Sequence, residues 1–261
     1  MRWLRYEADG RESYGIIEGS EVVEVMGDPF AGYEMTRTRR RLDHVKFLVP
    51  VVPRTFYAAG LNYSEHVIEM AKKRGEEPNL PKAADIGYRA NNALIAHGEN
   101  IVLPRDAGEL CQYEAELVVV IGSKAKHLSE REAFSCVLGY TIGNDFSERT
   151  WQRGDRTLWR AKNTDTFKPM GPWIETDFDL DKARTIVRVN GEETDNFRTN
   201  HMLFGVATFI SRMSQYVTLY PGDVVWMGTE GAPRNLKHGD LCEIEITGIG
   251  ILRNRVVREG M

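Results

Sequence analysis

The sequence is poor in cysteine, and what it has is scattered: Cys111, Cys136 and Cys242 are the only three in 261 residues. An odd number without a spacing pattern fits free thiols in a reducing cytosol better than a disulfide framework. No Cys-x-x-Cys and no His-x-x-x-His pair occurs, which argues against zinc. No Gly-x-Gly-x-x-Gly opens a helix after a strand, and there is no phosphate loop, so a nucleotide fold is disfavoured. No apolar run approaches membrane-spanning length, and Met1-Arg-Trp-Leu-Arg-Tyr-Glu7 lacks the apolar stretch of a signal peptide. These absences lead to the expectation of a cytoplasmic protein with no membrane partner. The net charge of −4 gives no reason to expect nucleic acid. The one basic run, Arg37-Thr-Arg-Arg-Arg41, reads as a solvated loop or helix face.

What is present reads as a β-rich globular chain. Its length suits one catalytic domain with a small appendage, or two small domains. Tyr14-Gly-Ile-Ile17 and Glu21-Val-Val-Glu-Val25 flank the turn-forming Glu18-Gly-Ser20, a hairpin pattern, and a short helix or loop through the basic run follows. Pro50 and Pro53 punctuate a boundary, giving a small β-rich unit over 1–52 and a main domain over 53–261. The main domain opens with a strand at Thr55–Ala59 and a helix at Tyr63–Arg74 that Gly75 stops. Residues 76–84 hold Pro78, Pro81 and little apolar material, and read as a connection that could serve as a lid. Strands are expected at Leu117–Ile121, Val137–Ile142, Thr185–Val189, Asp223–Met227 and Cys242–Ile246, with a hairpin turn at Asn190-Gly191. A helix over Met202–Met213 carries Leu203, Val206, Phe209, Ile210 and Met213 at helical spacing. The fold class is therefore mainly β with a few helices.

Chemistry concentrates at three carboxylates. Glu114 and Glu116 are one residue apart before a buried, β-branched strand, so their side chains point the same way. Two like charges at the mouth of a core strand need a positive partner, unless the strand end is open to water. Asp145 follows a second short strand that ends at Gly143-Asn144. It either caps a following helix or adds a third oxygen ligand for Mg²⁺ or Mn²⁺ beside the other two. On a helix after Asp145, Arg149 and Gln152 would share its face. His66 and Glu69 share a face of the first expected helix, where the carboxylate can orient the imidazole as a base, or the two form a surface ion pair.

At these residues the chain resembles the fumarylacetoacetate hydrolase family. The resemblance is carried in order by Gly60-Leu-Asn-Tyr-Ser-Glu-His-Val-Ile-Glu69, Tyr113-Glu-Ala-Glu-Leu117, Asn144-Asp-Phe-Ser-Glu-Arg149 with Gln152, and Ala161-Lys-Asn-Thr-Asp165 before Gly171-Pro-Trp173. Leu219-Tyr-Pro-Gly-Asp223, Met227-Gly-Thr229 and Gly248-Ile-Gly-Ile-Leu-Arg-Asn254 complete it. It implies a mixed β-roll catalytic domain, a divalent metal held by Glu114, Glu116 and Asp145, and a His66–Glu69 catalytic dyad. Lys162 would face the metal-bound substrate, Gln152 and Thr229 would bind it, and the chain would form a homodimer. Arg89 stands near a position that is lysine in many members, and Arg149 either joins the substrate or forms a structural salt bridge.

The chemistry implied is cleavage of a C–C bond in a 2-oxo or 2,4-dioxo acid. The metal binds the acid's carboxylate and keto oxygens, His66 activates a water, and the fragment leaves as a metal-stabilised enolate. A decarboxylase, isomerase or hydratase acting on a 2-oxo dicarboxylic acid uses the same enolate, and a non-catalytic subunit that binds 2-oxo acids is a further alternative. The rim departs from the family pattern at Asn190-Gly-Glu-Glu-Thr-Asp195, with Asp195 in place of an amide, and at Gly228-Thr-Glu230, with Glu230 in place of proline. The substrate tail is thus less legible than the chemistry.

Overall fold

The structure, a computed structural model, describes every residue except 232–233, and every other side chain except those of His66, Glu69, Met70, Lys73 and Arg74. It is mainly β, as expected, with four α-helices among the described residues: α1 Ser64–Arg74, α2 Arg149–Gly154, α3 Trp159–Asn163 and α4 Val206–Tyr216. No helix is long and apolar enough to cross a membrane.

One large sheet organises the chain. From one edge it runs through the strands Gly32–Arg41, Glu21–Asp28, Arg11–Glu18, Arg2–Ala8 and Lys168–Glu175. It continues through Val137–Asn144, Ala115–Ile121, Val224–Trp226, Phe56–Ala59 and Ile86–Tyr88. The four N-terminal strands join the rest where Arg2 pairs with Glu175 and Trp3 with Ile174. A second sheet holds Glu192–Arg198, Arg184–Val189, Leu241–Ile246, Gly250–Arg258 and Ile101–Leu103. The expected hairpin turn at Asn190-Gly191 links its first two strands, with φ of 55° and 81° at the two residues. Both values are positive, as a type I′ turn requires.

The strand Ala115–Ile121 lies between two packed faces. Leu117, Val119 and Ile121 join the main core, while Val118 and Val120 pack on the other side with Phe56, Ala58 and Trp226. A strand buried on both sides is apolar throughout, which is why its sequence is a continuous rather than alternating run. Glu114 and Glu116 keep the parity of Val118, so both carboxylates belong to the Trp226 side.

Three expectations need correction. The basic run is neither loop nor helix but the edge strand Gly32–Arg41. Its arginines pair across to acids: Arg39 with Glu18 (2.8 Å), Arg40 with Asp9 (2.8 Å) and Arg41 with Asp43 (2.6 Å). Charged side chains on an exposed edge also discourage pairing with another chain. The helix expected from Met202 starts at Val206. The Asn62 carboxamide takes both backbone groups of Phe204, donating to its carbonyl oxygen (3.1 Å) and accepting its N–H (3.0 Å), which holds that residue out of the helix. Asp145 is not on a helix with Arg149 and Gln152. Helix α2 begins at Arg149, and Glu148 is its cap, accepting the Trp151 N–H.

Helix α1 matches expectation. It buries Val67 and Ala71 in line with Tyr63 before it, the i, i+4 spacing of an inward stripe. Gly75 closes it in the left-handed conformation (φ 68°), with its N–H returned to the last turn. Residues 76–83 form neither helix nor strand and are mostly exposed.

Gly143 sits opposite Glu116 in the ladder, and a Cβ there would lie 2.6–2.8 Å from three atoms of the Trp226 ring. The indole fills the space that the missing side chain leaves. Gly143→Ala should lower stability by about 1–3 kcal/mol through overpacking, read as a lower denaturant midpoint at unchanged m-value. An unchanged midpoint would show that the indole is free to shift.

Candidate metal centre and active site

Three carboxylates converge where two antiparallel strands meet. Ala115 pairs with Asn144 and Glu116 with Gly143. That register carries the chain past Glu114, so the Asp145 N–H donates to the Glu114 carbonyl oxygen (2.9 Å) and the Asn144 side-chain oxygen accepts the Glu114 N–H (3.0 Å). One carboxylate oxygen from each of Glu114, Glu116 and Asp145 lies within 4.8 Å of the others, and all three residues are buried.

Four cations surround this group. Asp145 accepts from Arg89 Nε (3.1 Å) and Nη2 (2.8 Å) and from Lys162 Nζ (2.8 Å), and it lies 2.8 Å from Lys168 Nζ. Glu114 accepts from Lys162 Nζ (2.6 Å) and pairs with Arg149 Nη1 (2.7 Å). Arg149 also donates to Gln152 Oε1 (2.8 Å) and Gln112 Oε1 (2.8 Å). Glu116 makes none of these ion pairs among the described residues. Its Oε2 accepts the Gly228 N–H (2.7 Å), where φ of +85° turns the amide inward.

These surroundings set the charges. Burial alone would push every carboxyl up. Arg89, Lys162 and Lys168 outweigh it at Asp145, which is held well below the usual range. Lys162 and Arg149 do the same, less strongly, at Glu114. At Glu116 burial adds to repulsion from Asp145 and Glu114, and the carboxyl rises to about 8. Burial pushes Lys168 down to about 7 against the pull of Asp145. Both shifts favour loss of a proton, which at Lys168 works against the ion pair. Lys168 Nζ also donates to the carbonyl oxygens of Phe146 and Phe167 (2.9 Å each). Three acceptors match the three N–H bonds of an ammonium, so the charged form is the one the geometry accommodates.

The donor set is oxygen only, and one carboxyl is repelled toward protonation. That combination fits a hard divalent cation such as Mg²⁺ or Mn²⁺, whose charge would restore Glu116 to its ionised form. Of the residues anticipated from sequence, the structure brings together Glu114, Glu116, Asp145, Lys162, Arg89, Arg149 and, through Arg149, Gln152. Thr229 lies next to Gly228, but its hydroxyl stays within its own turn, 3.4 Å from Gly231 O. His66 and Glu69 fall on helix α1, and their side chains lie outside the described residues. Lys168 was missed. Its signal was a lone charge in an otherwise uncharged, turn-flanked run, Phe167-Lys-Pro-Met-Gly-Pro-Trp-Ile174. Asn62 was also missed: it clamps Phe204 and donates to Met227 O (2.9 Å), fixing the segment that leads to Gly228.

Comparison with known proteins gives the same frame. Residues 55–257 match the family described as Fumarylacetoacetate (FAA) hydrolase C-terminal, and residues 1–50 match Rv2993c-like, N-terminal. The chain is 35% identical to a mitochondrial oxaloacetate tautomerase of Rattus norvegicus, over 82% of this chain and 70% of that protein. A 5-carboxymethyl-2-hydroxymuconate delta-isomerase from Mycobacterium smegmatis superposes with a TM-score of 0.89 at 35% identity, covering 99% of this chain and 100% of that one. A 2-hydroxyhepta-2,4-diene-1,7-dioate isomerase from Mycobacterium marinum has a TM-score of 0.89 at 33% identity, covering 100% of both chains.

The Glu116 carboxyl yields a pH test on the chelated protein. In the unfolded chain it has an ordinary carboxylate value, so above about pH 5 the folded protein holds a proton that the unfolded chain has released. Stability in EDTA should therefore fall as pH rises from about 5 to 6, where folded Glu116, raised to about 8, keeps its proton and Lys168, pushed down to about 7, has lost little of its own. Glu116→Gln removes that titration and should flatten the slope, and saturating Mg²⁺ should flatten it in the parent protein. Thermal midpoints at about pH 5, 5.5 and 6 decide this; equal slopes for parent and variant would disprove the protonated Glu116.

Proposed function

The chain belongs to the fumarylacetoacetate hydrolase family, and from that premise we propose that it enolises a 2-oxo dicarboxylic acid, acting as a tautomerase or isomerase. Hydrolysis of a C–C bond, the first expectation from the motifs, shares the enolate but also needs an activated water. The relatives named above are isomerases and a tautomerase, and that supports the reading without the water.

The observation that carries it is the charge of the cluster. Arg89, Arg149, Lys162 and Lys168 stand against three carboxylates, one of which is protonated near neutrality without a metal. A divalent cation held by Glu114, Glu116 and Asp145 would supply a Lewis acid that polarises the 2-oxo carbonyl. With it the site carries a positive excess that a dianionic substrate offsets. Lys162, already between Glu114 and Asp145, can turn toward the keto oxygen and stabilise the negative charge that develops there. Arg89 and Arg149 would hold the carboxylates of the substrate, with Gln152 orienting Arg149. His66, the base that the family resemblance implies, would take the proton from C3. The C–H electron pair forms the C2–C3 double bond and the carbonyl electrons move to oxygen, which is then protonated to the enol.

The test is proton exchange. With Mg²⁺ in deuterium oxide, the protein should exchange the C3 protons of oxaloacetate faster than Mg²⁺ alone, followed by NMR. Lys162→Met should slow exchange by on the order of 10²–10³-fold, the usual cost of removing an oxyanion donor. No exchange above the metal-only rate would refute enolisation, and pyruvate release from an acylpyruvate in its place would restore hydrolysis.

A further inference from the structure

A second ring of charge lies outside the metal centre, and its sign is opposite. Glu65 in the first turn of α1, His201 beyond the strand Glu192–Arg198, and Glu230 two residues past Gly228 bring side-chain atoms within 4.8 Å of one another. His201 Nδ1 is 3.6 Å from Glu65 Oε1 and 4.0 Å from Glu230 Oε1. These side chains are 46% (Glu65), 60% (His201) and 20% (Glu230) exposed, whereas Lys162, Lys168 and Arg89 are at most 10% exposed. Going outward, buried cations therefore give way to solvent-facing carboxylates.

Tyr63 joins the two layers. Its hydroxyl donates to Thr199 O (2.7 Å), two residues before His201. Burial raises its phenol, and the charges of Glu116 and Glu230 add to that. Glu230 itself is raised by burial, then by repulsion from Glu65 and Asp195, with His201 and Arg184 opposing. Among the described residues, one imidazole stands between the two carboxylates Glu65 and Glu230.

We propose that Glu65 and Glu230, bridged by His201, form an anionic rim that selects against long 2-oxo diacids. This rests on the enolising reading above and narrows its substrate class. In oxaloacetate one carbon separates the keto carbon from the distal carboxylate, so both charges stay among the inner cations. In a seven-carbon 2-oxo diacid four carbons intervene, and the distal carboxylate reaches the rim. Like charges brought together there oppose binding, which is specificity by repulsion. The rim is partly exposed, so the effect weakens with salt.

Three acids test this by C3 proton exchange with Mg²⁺: oxaloacetate, 2-oxoheptanedioate, and 2-oxoheptanoate, which has the same length without the distal charge. The parent protein should exchange oxaloacetate and 2-oxoheptanoate more efficiently than 2-oxoheptanedioate. Glu65→Gln with Glu230→Gln should raise the efficiency on 2-oxoheptanedioate about tenfold or more, as loss of a near-surface charge repulsion predicts, and leave 2-oxoheptanoate unchanged. Glu230→Asp should retain the parent preference, and raised salt should reduce it. An unchanged ratio in the double variant, with oxaloacetate still exchanging, overturns the rim alone. So does a second Mg²⁺ per chain that is lost in the double variant, because a bound cation would cancel the charge. No exchange with any of the three acids overturns the enolising reading and the rim with it.

Discussion

Everything at this site depends on placing three carboxylates at the buried end of a strand packed on both faces. Isolated, such charges would be prohibitively expensive to desolvate. The protein offsets them with four cations drawn from distant parts of the chain: Arg89 after an edge strand, Arg149 on α2, Lys162 on α3 and Lys168 at the head of the strand Lys168–Glu175. Buried ion pairs of this kind rarely add stability over apolar packing, and losing one partner leaves an uncompensated charge. The cluster therefore makes sense as function that the fold accommodates. Glu116, without an ion pair among the described residues and raised to about 8, marks where compensation is weakest and where a divalent ion would complete it.

The surrounding structure keeps this balance in register. The ladder that pairs Ala115 with Asn144 fixes Asp145 beside Glu114, and the indole of Trp226 fills the place of a side chain at Gly143. Asn62 ties the start of α1, the Phe204 segment and the strand end at Met227 to one carboxamide. The turn at Gly228, which presents its amide to Glu116, thereby inherits its position from the helix that carries His66.

Most of the fold was legible because its signals are local. The alternating hairpin before Glu21, the apolar strand after Glu116 and Gly75 at the end of α1 each reflect a periodicity or a backbone preference within a few residues. That Glu114 and Glu116 stand together was legible for the same reason, since i and i+2 on a strand share a face. What escaped was set by tertiary contacts. Arg39, Arg40 and Arg41 became strand because their backbone pairs with Val23, Val22 and Glu21 of the neighbouring strand, a partner outside the run itself. Residues 202–205 left their helix because Asn62, some 140 residues earlier, takes the backbone of Phe204. The role of Lys168 depends on carbonyls at Phe146 and Phe167 that no spacing rule connects to it.

Charge order with depth then links chemistry to selectivity. An enolate needs cations where negative charge develops, and the inner cluster places them there, where solvent screens them least. A wholly basic funnel would draw in any polyanion and discriminate poorly among 2-oxo acids. Carboxylates at the rim sharpen discrimination by distance, because they act only on charge that reaches them. Glu230 occupies the position where the sequence departs from its family's proline, and Asp195 occupies another departure, close enough to repel it. On this proposal the buried charge cluster and this chain's own substitutions at Asp195 and Glu230 are separate, so substrate length could be retuned at the rim without disturbing the ion pairs of the cluster.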